Sequence, residues 1–115
     1  MIDAIPELIK IFAAGGIELL PESAEDSDAH FPCVTYSELE NTDDRLGDSM
    51  GYSSIAFSFE VWSYSFSELT DMAMRIDGIM KKCRFERFMS EVQTVDGLHR
   101  KILRYRKILK ESYSN

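Results

Sequence analysis

The sequence lacks the features that mark membrane, secreted and zinc-binding proteins. No apolar run approaches the roughly 20 residues that span a bilayer, and the first residues, MIDAIPELIKIF, are acidic where a signal peptide would be basic. Its only cysteines, Cys33 and Cys83, form no CxxC pair, so neither a disulfide framework nor a cysteine zinc site is predicted. We expect a protein with reduced thiols that makes no membrane contact and resides in a cytoplasm.

Residue patterns for catalysis are also missing. The only histidines are His30 and His99, and the chain has no GxSxG, HExxH or phosphate-binding loop. Asp43, Asp44 and Asp48 lie close together but lack the spacing of a calcium-binding loop. We therefore expect no enzyme activity, no metal site and no cofactor.

The charge is distributed unevenly along a chain of ordinary composition. With 115 residues, 44% of them hydrophobic and 29% charged, the sequence predicts one folded domain over residues 1–115. The net charge is −7, but residues 1–71 hold 15 acidic and 2 basic residues (−13), while residues 72–115 hold 5 acidic and 11 basic residues (+6). Such separation either brings the two halves together within one molecule or supports head-to-tail contacts between identical subunits.

Two amphipathic patterns predict the core of the domain. A helical stripe lies near the N-terminus, and a strict period-two alternation predicts a strand with one buried face. The stripe comprises Ile5, Leu8, Ile9, Phe12 and Ala13, and the buried strand face comprises Ile55, Phe57, Phe59 and Val61. A one-residue slip of this strand would expose its whole apolar face, so its register is strongly determined.

Local signals place the remaining elements. Ser65 and Glu68 form a capping box that predicts the start of a central amphipathic helix, and Asp96-Gly97 predicts a type I′ hairpin turn between two final strands. Together with a β-rich run from Phe31 to Leu39, these patterns predict an α+β fold. We expect a mostly antiparallel four-stranded sheet covered by the N-terminal helix and the central helix.

Three surface features are candidates for function. Residues 40–51 are rich in carboxylates and glycine and predict a mobile polar loop, in which the acidic residues of interest are Glu40, Asp43, Asp44 and Asp48. Trp62 and Tyr64 fall on the strand face opposite Phe57 and Phe59, where either a helix covers them or they anchor an interface.

The third feature is the basic C-terminal strand. Its candidate contact residues are Arg100, Arg104, Arg106 and Lys107, which surround Tyr105. Basic and aromatic side chains together can bind nucleic acid. Strand alternation divides these charges between both faces, however, which favours an edge or a contact between subunits.

The sequence resembles a family of tailed-phage proteins. The stretch FPCVTYSELENTDDRLGDSMGYSSIAFSFEVWSYSFSELTDMAMRID contains a "P-x-V-x-Y" strand, a polar loop, an alternating strand that ends near a tryptophan, and an amphipathic helix. That order, and the closing LHRKILRYRKIL, are similar to the tail-completion family, also described as tail-terminator or head-tail joining proteins.

The resemblance implies a structural virion protein that completes the tail. It implies a homo-oligomeric ring, commonly a hexamer, at the head-proximal end of the tail, with the tail tube protein and the head connector or neck proteins as partners. Such a protein would be made in the host bacterial cytoplasm and end at the tail-head junction of a phage or prophage particle. Two alternatives remain: a neighbouring neck or head-completion protein, and a small nucleic-acid-binding module that uses the basic hairpin.

The resemblance also gives the candidate residues roles. In a ring around a DNA channel, Glu40, Asp43, Asp44 and Asp48 would line the channel and repel the passing DNA. The expected subunit interface comprises Trp62, Tyr64, Arg100, Arg104, Arg106 and Lys107.

Overall fold

The computed structural model describes residues 4–21, 30–44 and 52–110. These residues form two helices and five strands, and the predicted α+β class is confirmed. In chain order the elements are α1 (Ile5–Ala14), β1 (Leu19–Pro21), β2 (Cys33–Asp44), β3 (Tyr52–Ser63), α2 (Phe66–Lys82), β4 (Glu86–Val95) and β5 (Leu98–Lys110). Within the described part of the chain, no helix is long and apolar enough to cross a membrane.

The sheet has five strands in the order β1-β2-β3-β5-β4, where four were expected. The additional strand, β1, pairs with β2 in parallel, and all other neighbours are antiparallel, so the sheet is mixed. Three residues are too few to show period-two alternation. Pro21 further hides β1 from sequence analysis, because proline cannot donate to a ladder and is tolerated only at positions such as an edge strand.

The core lies between the helices and one face of the sheet. Phe57 and Phe59 of β3 are fully buried, and the ring of Phe59 stacks on Phe12 of α1 with 5.0 Å between centroids. The predicted buried face of β3 is confirmed. The α2 side chains that pack into the same core are Leu69, Ala73, Ile76 and Met80.

The predicted start of α2 and the predicted hairpin turn are also confirmed. The Oγ of Ser65 accepts a hydrogen bond from the backbone N–H of Glu68 at 3.3 Å. Asp96 and Gly97 have φ angles of 52° and 81°, as the two central positions of a type I′ turn require.

The first part of the predicted polar loop, residues 40–51, is a strand rather than a loop. Residues 40–44 belong to β2 and pair with β3, from Glu40 opposite Ala56 to Asp44 opposite Tyr52. Backbone hydrogen bonds build this extension, and they do not need apolar side chains, so the polar composition was misleading. The loop prediction is therefore wrong for residues 40–44, while residues 45–51, which include Asp48, lie outside the described residues.

A buried tyrosine joins α2 to β5. The Oη–H of Tyr105, which is 1% exposed, donates to Oδ1 of Asp77 at 2.8 Å, and Arg87 contacts the same oxygen at 3.2 Å. Burial raises the pKa of Tyr105 far above its ordinary value, and the hydrogen bond to Asp77 raises this pKa further. The hydroxyl therefore stays protonated and links the helix to the sheet.

This link predicts an alkaline loss of stability. In the unfolded chain Tyr105 ionises near its ordinary pKa of 10.0, while the folded chain keeps the proton, so the folded state binds more protons above that pH. The free energy of unfolding should then fall by up to about 1.4 kcal/mol per pH unit from this group. Tyr105→Phe should cost about 1–2 kcal/mol near neutral pH, through the lost hydrogen bond.

Urea unfolding of both proteins at neutral pH and above pH 10 measures the effect. The stability difference between them should narrow as the pH rises, since only the wild type has the titrating hydroxyl. A difference that stays constant would contradict the protonated link.

Candidate functional site

The sheet has one face that none of the described helices covers, and we call it the open face. Its residues alternate along each strand with those of the core, and they are mostly polar or charged. The members used below are Thr35 and Glu40 of β2, Ala56, Ser58, Glu60 and Trp62 of β3, Gln93 of β4, and Arg100, Arg104 and Arg106 of β5.

At one end of the open face, Arg100 forms a two-point ion pair with Glu60. Its Nη2 donates to Oε1 of Glu60 at 2.7 Å and its Nε donates to Oε2 at 3.1 Å. The guanidinium lies over the ring of Trp62, 5.1 Å from the centroid, and also donates to Gln93 at 3.3 Å. The indole N–H of Trp62 donates to Thr35 Oγ1 at 3.2 Å. This end of the open face is thus a closed network that joins four strands.

At the other end, Arg106 has both an acidic and an aromatic neighbour. Its Nε lies 3.5 Å from Oε2 of Glu40, and its guanidinium carbon lies 4.6 Å from the ring centroid of Phe88. The side chain of Arg106 is 47% exposed and that of Glu40 is 33% exposed. Because water screens such a pair, it contributes little to stability and can exchange for another partner.

Between these two pairs, Arg104 is in a different situation. It lies opposite Ser58 in the register of β3 and β5. The Nε of Arg104 and the Oγ of Ser58 are both buried, and neither has a hydrogen-bond partner among the described residues. Buried polar atoms almost always have a partner, so this adjacent pair needs an explanation.

The structure brings together four of the six residues predicted for a subunit interface. Trp62, Arg100, Arg104 and Arg106 share the open face. Tyr64 follows the end of β3, is 61% exposed, and packs edge-on against Phe31 with 5.3 Å between ring centroids.

Lys107 does not belong with the other basic residues. It lies on the helix-covered face, where its Nζ donates to the carbonyl oxygen of Cys83 at 2.8 Å and lies 5.5 Å from the ring centroid of Phe85. A cation beside the last carbonyls of α2 stabilises the end of the helix. Lys107 therefore stabilises the end of α2 and is not part of the open face.

Of the four predicted channel acids, only Glu40 has a side chain that the structure describes. Glu40 faces Arg106 on the open face, whereas Asp43 and Asp44 are the last residues of β2 and Asp48 lies outside the described residues. Among the described residues, no group of three or more His, Cys, Asp or Glu side chains could hold a metal ion.

Sequence analysis missed Glu60 and Ser58 as members of the site. Both lie on the polar face of β3, opposite the predicted core face, and they are 7% and 2% exposed. The signal that could have revealed Glu60 was its position in the central strand of the sheet, where a buried charged side chain requires a cationic partner. Comparison with known proteins adds nothing to this site, because no family model matches the chain and no curated protein matches it.

Proposed function

We propose that the chain is a structural assembly protein of a tailed phage or prophage that completes the tail by forming a ring at its head-proximal end. The observation that supports an interface on the open face is the pair Arg104 and Ser58. The buried Nε of Arg104 and the buried Oγ of Ser58 have no hydrogen-bond partner among the described residues. Arg104 as a residue is partly exposed, and a carboxylate of a neighbouring subunit would pair with the accessible part of its guanidinium. The resemblance in motifs and element order described under the sequence analysis is what supports the phage context.

The charges of the chain favour such a contact. Residues 1–71 carry a net charge of −13, and a ring subunit needs two unlike surfaces that meet head to tail. The open face offers Arg104 without a carboxylate partner among the described residues and Arg106 with a screened one. An acidic surface of the next copy therefore complements the open face, and salt should weaken the assembly.

In this proposal the partners are further copies of the chain, the tail tube protein and the head connector or neck proteins. Assembly takes place in the host cytoplasm and the ring stays at the tail-head junction. The protein acts by binding rather than by catalysis. DNA passes through the ring without specific contacts, and Asp43, Asp44 and Asp48 are the acids proposed to face it.

Deletion of the gene from the phage or prophage that encodes it tests the function. Particles without the protein should carry tails of uncontrolled length, or tails that do not join heads, in electron micrographs. Normal particles would refute the proposed function.

Complementation of that deletion tests the open face. Arg104→Glu should abolish complementation, because it places an anion against the acidic neighbour. Lys82→Glu makes the same charge change at an exposed position at the end of α2 and should complement normally. If Arg104→Glu complements as well as Lys82→Glu, the open face is not the interface.

One observation favours a second candidate, a nucleic-acid-binding module. Arg100, Arg104 and Arg106 share the open face with Trp62, as basic and aromatic groups do on sheets that bind single strands. Two of these arginines already have carboxylate partners, which reduces the positive charge available to phosphates.

Fluorescence anisotropy with labelled single-stranded DNA and RNA distinguishes the nucleic-acid-binding module from the ring-forming assembly protein. A salt-sensitive complex of nucleic acid with the monomeric protein, lost in the Arg104→Ala, Arg106→Ala double variant, would favour the nucleic-acid-binding module.

A neighbouring neck or head-completion protein is a third candidate. The genes next to this one distinguish it, because tail-completion genes typically lie just before the gene of the major tail protein.

A further inference from the structure

Strand β4 forms a long edge of the sheet. It is the last strand in the order β1-β2-β3-β5-β4, pairs only with β5 among the described residues, and is exposed along nearly its whole length. The opposite edge, β1, has only three residues. An edge strand presents a row of backbone N–H and C=O groups that can pair with another strand.

The two parts of β4 differ in how they are protected against such pairing. Proteins block edges with charged residues and β-bulges. In β4 the charged Glu86 and Arg87 and the irregularity between Arg87 and Met89 all lie in the first part. The rest of β4, residues 89–95, has one charge, Glu91, and exposes Val92 by 38% and Val95 by 69%.

Symmetry limits the ways in which residues 89–95 can pair with the same residues of a second copy. Two antiparallel β4 strands at the edges of two sheets are related by a two-fold axis perpendicular to the sheet, so paired residues lie on the same face. The axis must therefore pass through a residue paired with its own copy. An axis at Ser90 would include the bulge in the pairing, and an axis at Glu91 would place two carboxylates opposite each other.

An axis at Val92 avoids both problems over residues 89–95. Val92 then lies opposite Val92, Glu91 opposite Gln93, Ser90 opposite Thr94, and Met89 opposite Val95. Each directly opposite pair is either two apolar or two polar side chains, and the two Glu91 carboxylates are diagonal neighbours rather than directly opposite. An axis at Gln93 would also avoid the bulge and the opposed carboxylates, but it would shorten the pairing to residues 91–95.

We propose that β4 is a homodimerisation edge, at which residues 89–95 of two copies pair antiparallel around Val92 and join two sheets into one of ten strands. The helices of both copies then cover the same face, and both open faces remain uncovered by the contact. This inference is independent of the proposed function, since it uses neither Arg104 nor a phage context. The dimer uses a different surface from the ring contact.

Site-directed disulfide trapping tests the register. In Val92→Cys the two thiols lie directly opposite each other, with Cα atoms about 4.5–5.5 Å apart, which a disulfide can bridge. Ser90→Cys is the matched control, because its two copies lie roughly 13 Å apart along the strands, beyond the reach of a disulfide. Mild oxidation should link Val92→Cys into dimers, and peptide mapping should place the bond at that position.

Association without a disulfide gives a second measurement. Val92→Lys places two cations opposite each other and should weaken the dimer at least about tenfold in sedimentation equilibrium, whereas Val92→Thr should associate as the wild type does. The proposal is overturned if Val92→Cys does not link, if Ser90→Cys links as fast, or if Val92→Lys associates like the wild type. Because Val92 is partly exposed, none of these variants should prevent folding.

Discussion

Replacing Phe59 with alanine is expected to lower the free energy of unfolding by about 3–5 kcal/mol. The side chain is fully buried between the helices and the sheet. Its ring lies 5.0 Å from Phe12, 5.9 Å from Tyr105 and 6.4 Å from Phe57, measured between centroids. The substitution removes both the buried apolar area and the contacts that join α1, β3 and β5, and it leaves a cavity that rigid neighbours fill only in part.

Urea unfolding followed by circular dichroism measures this loss. Phe66→Ala is the matched control, because it deletes the same side chain where it is 55% exposed, and it should cost less than about 1 kcal/mol. Similar losses for the two variants would show that the core is not centred on Phe59. Since domains of this kind are stable by only about 5–15 kcal/mol, the Phe59 variant should lose a large fraction of the stability of the domain.

The elements that sequence analysis predicted correctly are those with a strong local signal. Phe57 and Phe59 alternate with small or polar residues, Ser65 caps α2, and Asp96-Gly97 turns the final hairpin, so each pattern is visible within a few neighbouring positions. The elements it missed depend on pairing with distant residues. Strand β1 is held by β2 at positions 15 residues later, and residues 40–44 are held in β2 by the start of β3.

The candidate site shows the same division. Alternation correctly placed Arg104 and Arg106 on one face of β5 and Lys107 on the other. It did not show which face the helices cover, so Lys107 was grouped with the interface although it contacts the end of α2. The pairing of Arg100 with Glu60 joins residues 40 positions apart and follows only from the β3–β5 register.

Loss of Arg100 is expected to be more damaging than loss of its partner Glu60. The Glu60 side chain is 9% exposed, whereas that of Arg100 is 30% exposed and also contacts Gln93 and Trp62. Arg100→Ala leaves a buried carboxylate without its cation, which should cost about 2–4 kcal/mol, less than for a fully buried pair because Arg100 is partly hydrated. Glu60→Ala leaves a guanidinium that reaches water and should cost about 1–2 kcal/mol.

A double-mutant cycle tests this asymmetry at the open face. The double variant Arg100→Met, Glu60→Leu removes both charges and keeps apolar volume, so it should be more stable than Arg100→Ala alone. Chemical unfolding of the wild type, Arg100→Ala, Glu60→Ala and the double variant Arg100→Ala, Glu60→Ala gives the coupling energy. If Glu60→Ala were the more damaging single change, the buried member of the pair would be Arg100, and the network with Trp62 and Thr35 would depend on a desolvated guanidinium. The expected order instead makes the carboxylate of Glu60 the group that fixes Arg100 at one end of the open face, while Arg104 stays available for a partner.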